Sequence, residues 1–244
     1  LASRSYGTVT SAVPADRARL RNQGALLKEV RELLTLSRGY GMESVRQRAM
    51  STAETVSASL SEVVDDSTLE LVVDLRLAFG RLLAALGANE RAEKEHLDTA
   101  ELSLSQGWTE TACAALALAS HAAQARGDRA SSGRAWHQCR DAMESWPMNR
   151  PGERCGILVD AVGDPLVAVQ VLSALAEVLV DGVEEDHTRA PIIREIISRA
   201  SEQASRCVSP PQGAVESLAR VEERIAPYGR GRGGRRRPGS TTTI

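Results

Sequence analysis

The sequence predicts an all-α protein in which antiparallel helix pairs stack one upon the next. Three observations predict it. The apolar residues are mostly Ala, Leu and Val, with one Phe, three Trp and three Tyr in 244 residues, a palette suited to closely packed helices rather than sandwiches or barrels. Those residues recur at helical spacing along most of the chain. Glycines 41, 87, 127 and 163 interrupt the periodic stretches at separations of 46, 40 and 36 residues, spans that fit stacked helix–turn–helix units.

Residues 1–19 hold Gly7, Pro14 and several Ser and Thr without periodicity, and are expected to be a flexible, disordered arm. A helical domain is expected over 20–226. In its first helix Leu26, Leu27, Val30, Leu33 and Leu34 share one stripe, with Lys28, Glu29, Arg31 and Glu32 opposite, and "RGYG" ends it because glycine supplies the left-handed conformation of a C-terminus. A Ser/Thr/Ala-rich second helix is expected from Met42 to about Val63.

"DDST" at 65–68 reads as a capping segment for a third helix, Ser67 to Leu86, which is apolar over more than half its circumference and should be buried between neighbours. Gly87 stops it, and the amphipathic "NERAEKEHLDTAELSL" follows. The layout returns as "ETACAALALASHAAQAR", the break Gly127-Asp128, and "RASSGRAWHQCRDAMESWP". It returns again as "RCGILVDAV", "GDP" and "LVAVQVLSALAEVLV". In that last helix Gln170, Ser173 and Glu177 form one narrow polar stripe, so the remaining circumference must be covered. The same apolar helix offers a route to self-association if one chain leaves it partly bare. "APIIREIISRASEQASRC" and the more polar "AVESLARVEERIA" close the chain, the latter as a cap on an otherwise open stack.

The formal net charge is −2, but residues 228–244 carry five arginines and no acid. Without those five charges the remainder stands at −7. The segment "YGRGRGGRRRPGSTTTI" has too little to bury against its ordering entropy, so 227–244 is expected to be a disordered tail. Arg230, Arg232, Arg235, Arg236 and Arg237 could meet nucleic-acid phosphates there, contacts that weaken as salt rises. They could equally dock on the acidic body or serve only for solubility. The four cysteines are scattered with no CxxC, which suits reduced thiols in the cytoplasm. The longest apolar run contains Gln and Glu and is too short to span a bilayer, so no membrane partner is expected.

No GxSxG, HExxH, GxxxxGK[ST] or DxDxDG stretch occurs, and no enzyme, metal or cofactor is expected. His137 and Cys139 lie two apart and so point to different faces of a helix, whereas ligands need i,i+3 or i,i+4 spacing. His96, His121 and His187 are isolated from one another. "GRGRGG" follows no strand and precedes no helix, so it does not read as a phosphate loop.

The stretch 75–107 resembles the tetratricopeptide repeat (TPR): Gly80 lies in the first helix, Gly87 at the turn, Ala92 five residues later, and Thr99-Ala100 near the last small position. Around Gly127 the match is looser, with Ser132 in place of the alanine, while the 163 unit keeps Gly163-Asp164 and Ala168. The resemblance covers roughly 21–180 and implies a TPR-like α-solenoid that grips a peptide or partner protein along its inner wall. Such arrays line that wall with the first helix of each pair, which implies Glu70, Asp74, Arg76 and Arg81 on one helix and His121 and Gln124 on the next. A second expectation is the sensor or effector portion of a bacterial transcriptional regulator, as similar degenerate arrays occur there.

Overall fold

The structure, a computed structural model, describes residues 14–60 and 68–228. Among the described residues the regular structure is helical throughout: α1 Pro14–Tyr40, α2 Arg46–Leu60, α3 Leu69–Ala85, α4 Asn89–Ser105 and α5 Thr109–Ala125. They continue with α6 Arg129–Glu144, α7 Pro151–Val162, α8 Pro165–Val180, α9 Arg189–Ala204 and α10 Gln212–Ile225. Each helix packs on neighbours in sequence, and α3 divides the apolar interior in two. Its Val72, Leu75, Phe79 and Leu82 join the α1 stripe and α2 in one core. Its Val73 and Leu77 join a larger core that runs through α5 and α8 to α10.

The turns are made by glycines at 20-residue intervals. Gly87, Gly107 and Gly127 have φ of 85°, 70° and 83°, a left-handed conformation that costs other residues about 1–2 kcal/mol. After each one the chain closes a Schellman motif, with Ala88 N–H donating to Leu83 O at 2.9 Å, Trp108 N–H to Ser103 O at 2.9 Å and Asp128 N–H to Ala123 O at 3.0 Å. Links this short force α3, α4, α5 and α6 to run antiparallel to one another. Gly107 is thus a fifth break, beyond the four that the periodicity marks.

α5 lies at the centre. Thirteen of its seventeen residues are buried, and it packs against α4, α6, α7 and α8. Its alanines make this possible, since side chains that end at Cβ let helices approach closely on several sides. Beyond α6 the chain turns back: α7 packs on α5, α8 on α5, α6 and α7, and both α9 and α10 on α8. The apolar α8 is therefore mostly covered within one chain, with Leu166 at its start left exposed.

Several boundaries differ from the periodic reading. α1 begins at Pro14, ahead of Leu20, because Pro, Asp and Arg suit a first turn without adding an apolar stripe. The second helix opens as a 3-10 turn, Met42–Val45, before α2. Thr68 sits at the N-cap of α3 but makes no side-chain capping bond, and Asp65, Asp66 and Ser67 lie outside the described residues. At the other end, a 3-10 turn Ala226–Tyr228 extends the body, with the Tyr228 ring stacked on His187 at 4.7 Å. Tyr228 thus belongs to the folded part and not to the tail. The remainder of the arm and tail, residues 1–13 and 229–244 with the five arginines, lies outside the described residues. Among the described residues no helix is long and apolar enough to cross a membrane.

Candidate functional site

Where α5, α6, α8 and α10 meet, they leave an open cleft of about 580 Å³. Each wall follows from its helix. α6 buries only Ala135, Cys139 and Met143, one residue per turn, so Arg129, Ser132, Gly133, Trp136 and Arg140 on the adjoining face are left to line the cleft. α8 contributes the polar stripe Gln170, Ser173 and Glu177. α10 docks on α8 through Leu218, Val221 and Ile225 and closes one end with Ala214 and Ser217.

Hydrogen bonds between helices fix this geometry. The Ser173 hydroxyl donates to Ala214 O at 3.1 Å, tying α8 to α10. Ser120 on α5 donates to Ser132 O on α6 at 3.0 Å. Glu177 accepts from Arg140 Nη1 at 3.1 Å and from the Ser217 hydroxyl, and Arg220 stands 4.0 Å away. Its charge is therefore matched. His121 Nε2 lies 2.6 Å from Gln170 Oε1; an amide oxygen only accepts, so this nitrogen carries the hydrogen, and the Gln170 NH2 has no partner among the described residues. Arg129 makes no ion pair or side-chain hydrogen bond with any described residue. With Arg129 and Arg140 against Glu177, the cleft lining thus carries one surplus positive charge, on the same helix as Trp136.

The six residues expected on the inner wall are not brought together. His121 and Gln124 line the cleft. Glu70 is exposed at the start of α3. Asp74 faces Arg31 of α1 at 3.3 Å, so it braces α1 against α3. Arg76, two residues on and hence on another face, meets Glu95 of α4 at 3.5 Å.

Arg81 is a strut. Its Nη1 donates to Ala161 O at 3.3 Å and Val162 O at 3.1 Å, and Arg38 donates to Gly163 O. Two cations thus cap the carbonyl end of α7, where the helix dipole favours them. Burial lowers the Arg81 pKa to about 10, helped by Arg38 and Arg31 and opposed by Asp164 and Asp74. A Cβ on Gly163 would lie 1.7 Å from Arg81 Nη1, so the left-handed turn there also makes room for the strut.

The remaining histidines and cysteines do not converge. His137 is exposed and faces Asp141 at 3.3 Å, while Cys139 points inward. His96 is 1 % exposed, its ring packed against Gly80 of α3, where a Cβ would sit 2.4 Å from the ring. Its Nδ1 has no partner among the described residues, and burial, with Arg81 close by, pushes its pKa down to about 3. Cys113 and Cys139 face each other across α5 and α6, each thiol directed at the other's carbonyl oxygen. The Cys113 thiol is pushed far up by its hydrogen bond with Cys139 and by burial, and burial raises Cys155 to about 12. Among the described residues no group of three or more His, Cys, Asp or Glu stands ready to hold a metal ion.

Periodicity marks the α8 stripe but cannot pair it with α6 or α10, because the walls come from positions 120 to 217. Fold and cleft together define an all-α protein of neighbour-packed helices with a polar, cationic cleft between four of them. No protein-family model, curated protein or solved structure matches the chain.

Proposed function

We propose that the protein is a non-catalytic interaction module, a TPR-like helical stack that receives a segment of a partner protein in the cleft between α5, α6, α8 and α10. One observation carries this reading. Arg129, Gln124 and the Gln170 amide present unused hydrogen-bonding capacity around Trp136, and all four stand on helices that are locked to one another. A few polar groups set around an aromatic side chain on a fixed helical frame supply the orientation and specificity of a binding site. Four unpaired thiols suit a cytoplasmic setting for such a module.

The test is a photo-cross-linking amino acid placed at Gln124 in the cleft and, as control, at the exposed Glu101 on α4. The reading expects cross-links to one defined partner segment from position 124 and none from 101. Equal labelling at both positions, or none at either, contradicts it.

A second reading, the sensor or effector portion of a bacterial transcriptional regulator, draws on the five clustered arginines of the C-terminal segment. It predicts that deleting 229–244 weakens duplex binding and flattens its salt dependence. Unchanged, salt-insensitive behaviour removes it.

A further inference from the structure

Gly133 sits in the interior of α6, where glycine weakens a helix relative to alanine. Neither usual reason for a glycine applies. Its φ is not positive, unlike those of the turn glycines. Nor does the chain need the space, since a Cβ built there meets nothing within 4 Å, whereas at Gly80 it would strike His96. Gly24, Gly39 and Gly156 are open in the same way but lie outside the cleft, and Gly213, also open and on the cleft rim, stands in the first turn of α10 and not in a helix interior. Gly133 lines it, with Arg129 four residues before and Trp136 three after on the same face.

We infer that this gap admits the main chain of an extended peptide crossing α6 at Gly133, with an acidic side chain of that peptide on Arg129 and its neighbour against Trp136. The inference rests on the reading of the cleft as the partner site and specifies its occupant. Missing side-chain bulk lets a backbone come close, as glycine does at other sites of close approach. Gln124 and the Gln170 NH2 lie on the walls facing α6, where they can bond peptide groups of the occupant. The surplus charge selects an acid, because Glu177 is already engaged by Arg140 and Ser217 while Arg129 is not. The chain's own arginine-rich segment brings like charge to Arg129 and is excluded on that ground.

The experiment displays a random peptide library to the full chain and compares the selected peptides on the parent, Gly133→Ala, Arg129→Ala and Arg129→Lys proteins. The expected result is a shared Asp or Glu beside an apolar residue. Gly133→Ala then weakens binding about tenfold or more, as overfilling a fitted contact does, with a melting temperature equal to or above that of the parent. Arg129→Ala erases the acidic preference, and Arg129→Lys retains part of it. Selected peptides without an acidic position, or undiminished binding by Gly133→Ala, overturn the inference while leaving the cleft as a peptide site. Failure to select any peptide, together with no cross-link from position 124, overturns both.

Discussion

Acidification should unfold this protein partly through a single side chain. His96 is packed under Gly80 with its charged form excluded, so its pKa falls from the ordinary 6.5 to about 3 on folding. A base whose pKa is depressed in the folded state binds its proton in the unfolded chain first. The stability it leaves intact is fully present above pH 6.5 and is lost as the pH falls from there towards 3. At about pH 5 the unfolded chain is almost wholly protonated at this site and the folded one is not, a loss of about 2 kcal/mol at about 1.4 kcal/mol per pKa unit.

The assay is urea unfolding at neutral and mildly acidic pH for the parent and for His96→Leu, which fills similar space without titrating. Carboxylates elsewhere contribute equally to both proteins, so the difference between them isolates this ring. The stability gap between variant and parent should move in the variant's favour by about 2 kcal/mol on going to about pH 5. Parallel pH profiles would refute the reasoning, since they would mean that the ring is solvated or finds a partner when charged.

Other expectations follow from the same packing. Gly107→Ala forces a side chain into a left-handed turn at φ 70° and should cost about 1–2 kcal/mol in urea unfolding. Gly133→Ala, in an ordinary helical position with open space, should instead gain about 0.5–1 kcal/mol. Arg81→Met removes the donors that cap α7 and should speed amide exchange in Pro151–Val162, with a loss of about 1.5–3 kcal/mol. In the native state a thiol reagent should titrate Cys207 first, because Cys113, Cys139 and Cys155 are buried; simultaneous reaction of all four would contradict this core.

The helices were legible because burial on one or more faces leaves a periodic mark. The stripe of Leu26 to Leu34, the nearly all-apolar α8 and its polar line of Gln170, Ser173 and Glu177 all lie where periodicity puts them. The boundary between α4 and α5 was legible as a shift from a charged amphipathic helix to an alanine-rich one, but Gly107 was not singled out because the breaks were read one per helix pair, at Gly87 and Gly127, and not between pairs. The placement of α7 on α5 left no local trace, since any apolar face could have accepted it. Arg76 and Arg81 looked like members of one wall, yet a two-residue offset from Asp74 turns Arg76 to α4, and Arg81 is drawn to carbonyls 80 positions away. The cleft was half legible for the same reason: its residues stand out singly, but only tertiary packing brings α6 and α10 beside α8.

The central claim is that the cleft is where a partner binds, and its three tryptophans allow a direct test. Trp136 lines the cleft, Trp146 is buried, and Trp108 lies on a different part of the body. In protein labelled with 5-fluorotryptophan, adding the cross-linked partner segment should shift the fluorine resonance of Trp136 and leave those of Trp108 and Trp146 in place. A partner that binds while the Trp136 resonance stays still would show that recognition happens elsewhere on the helical body.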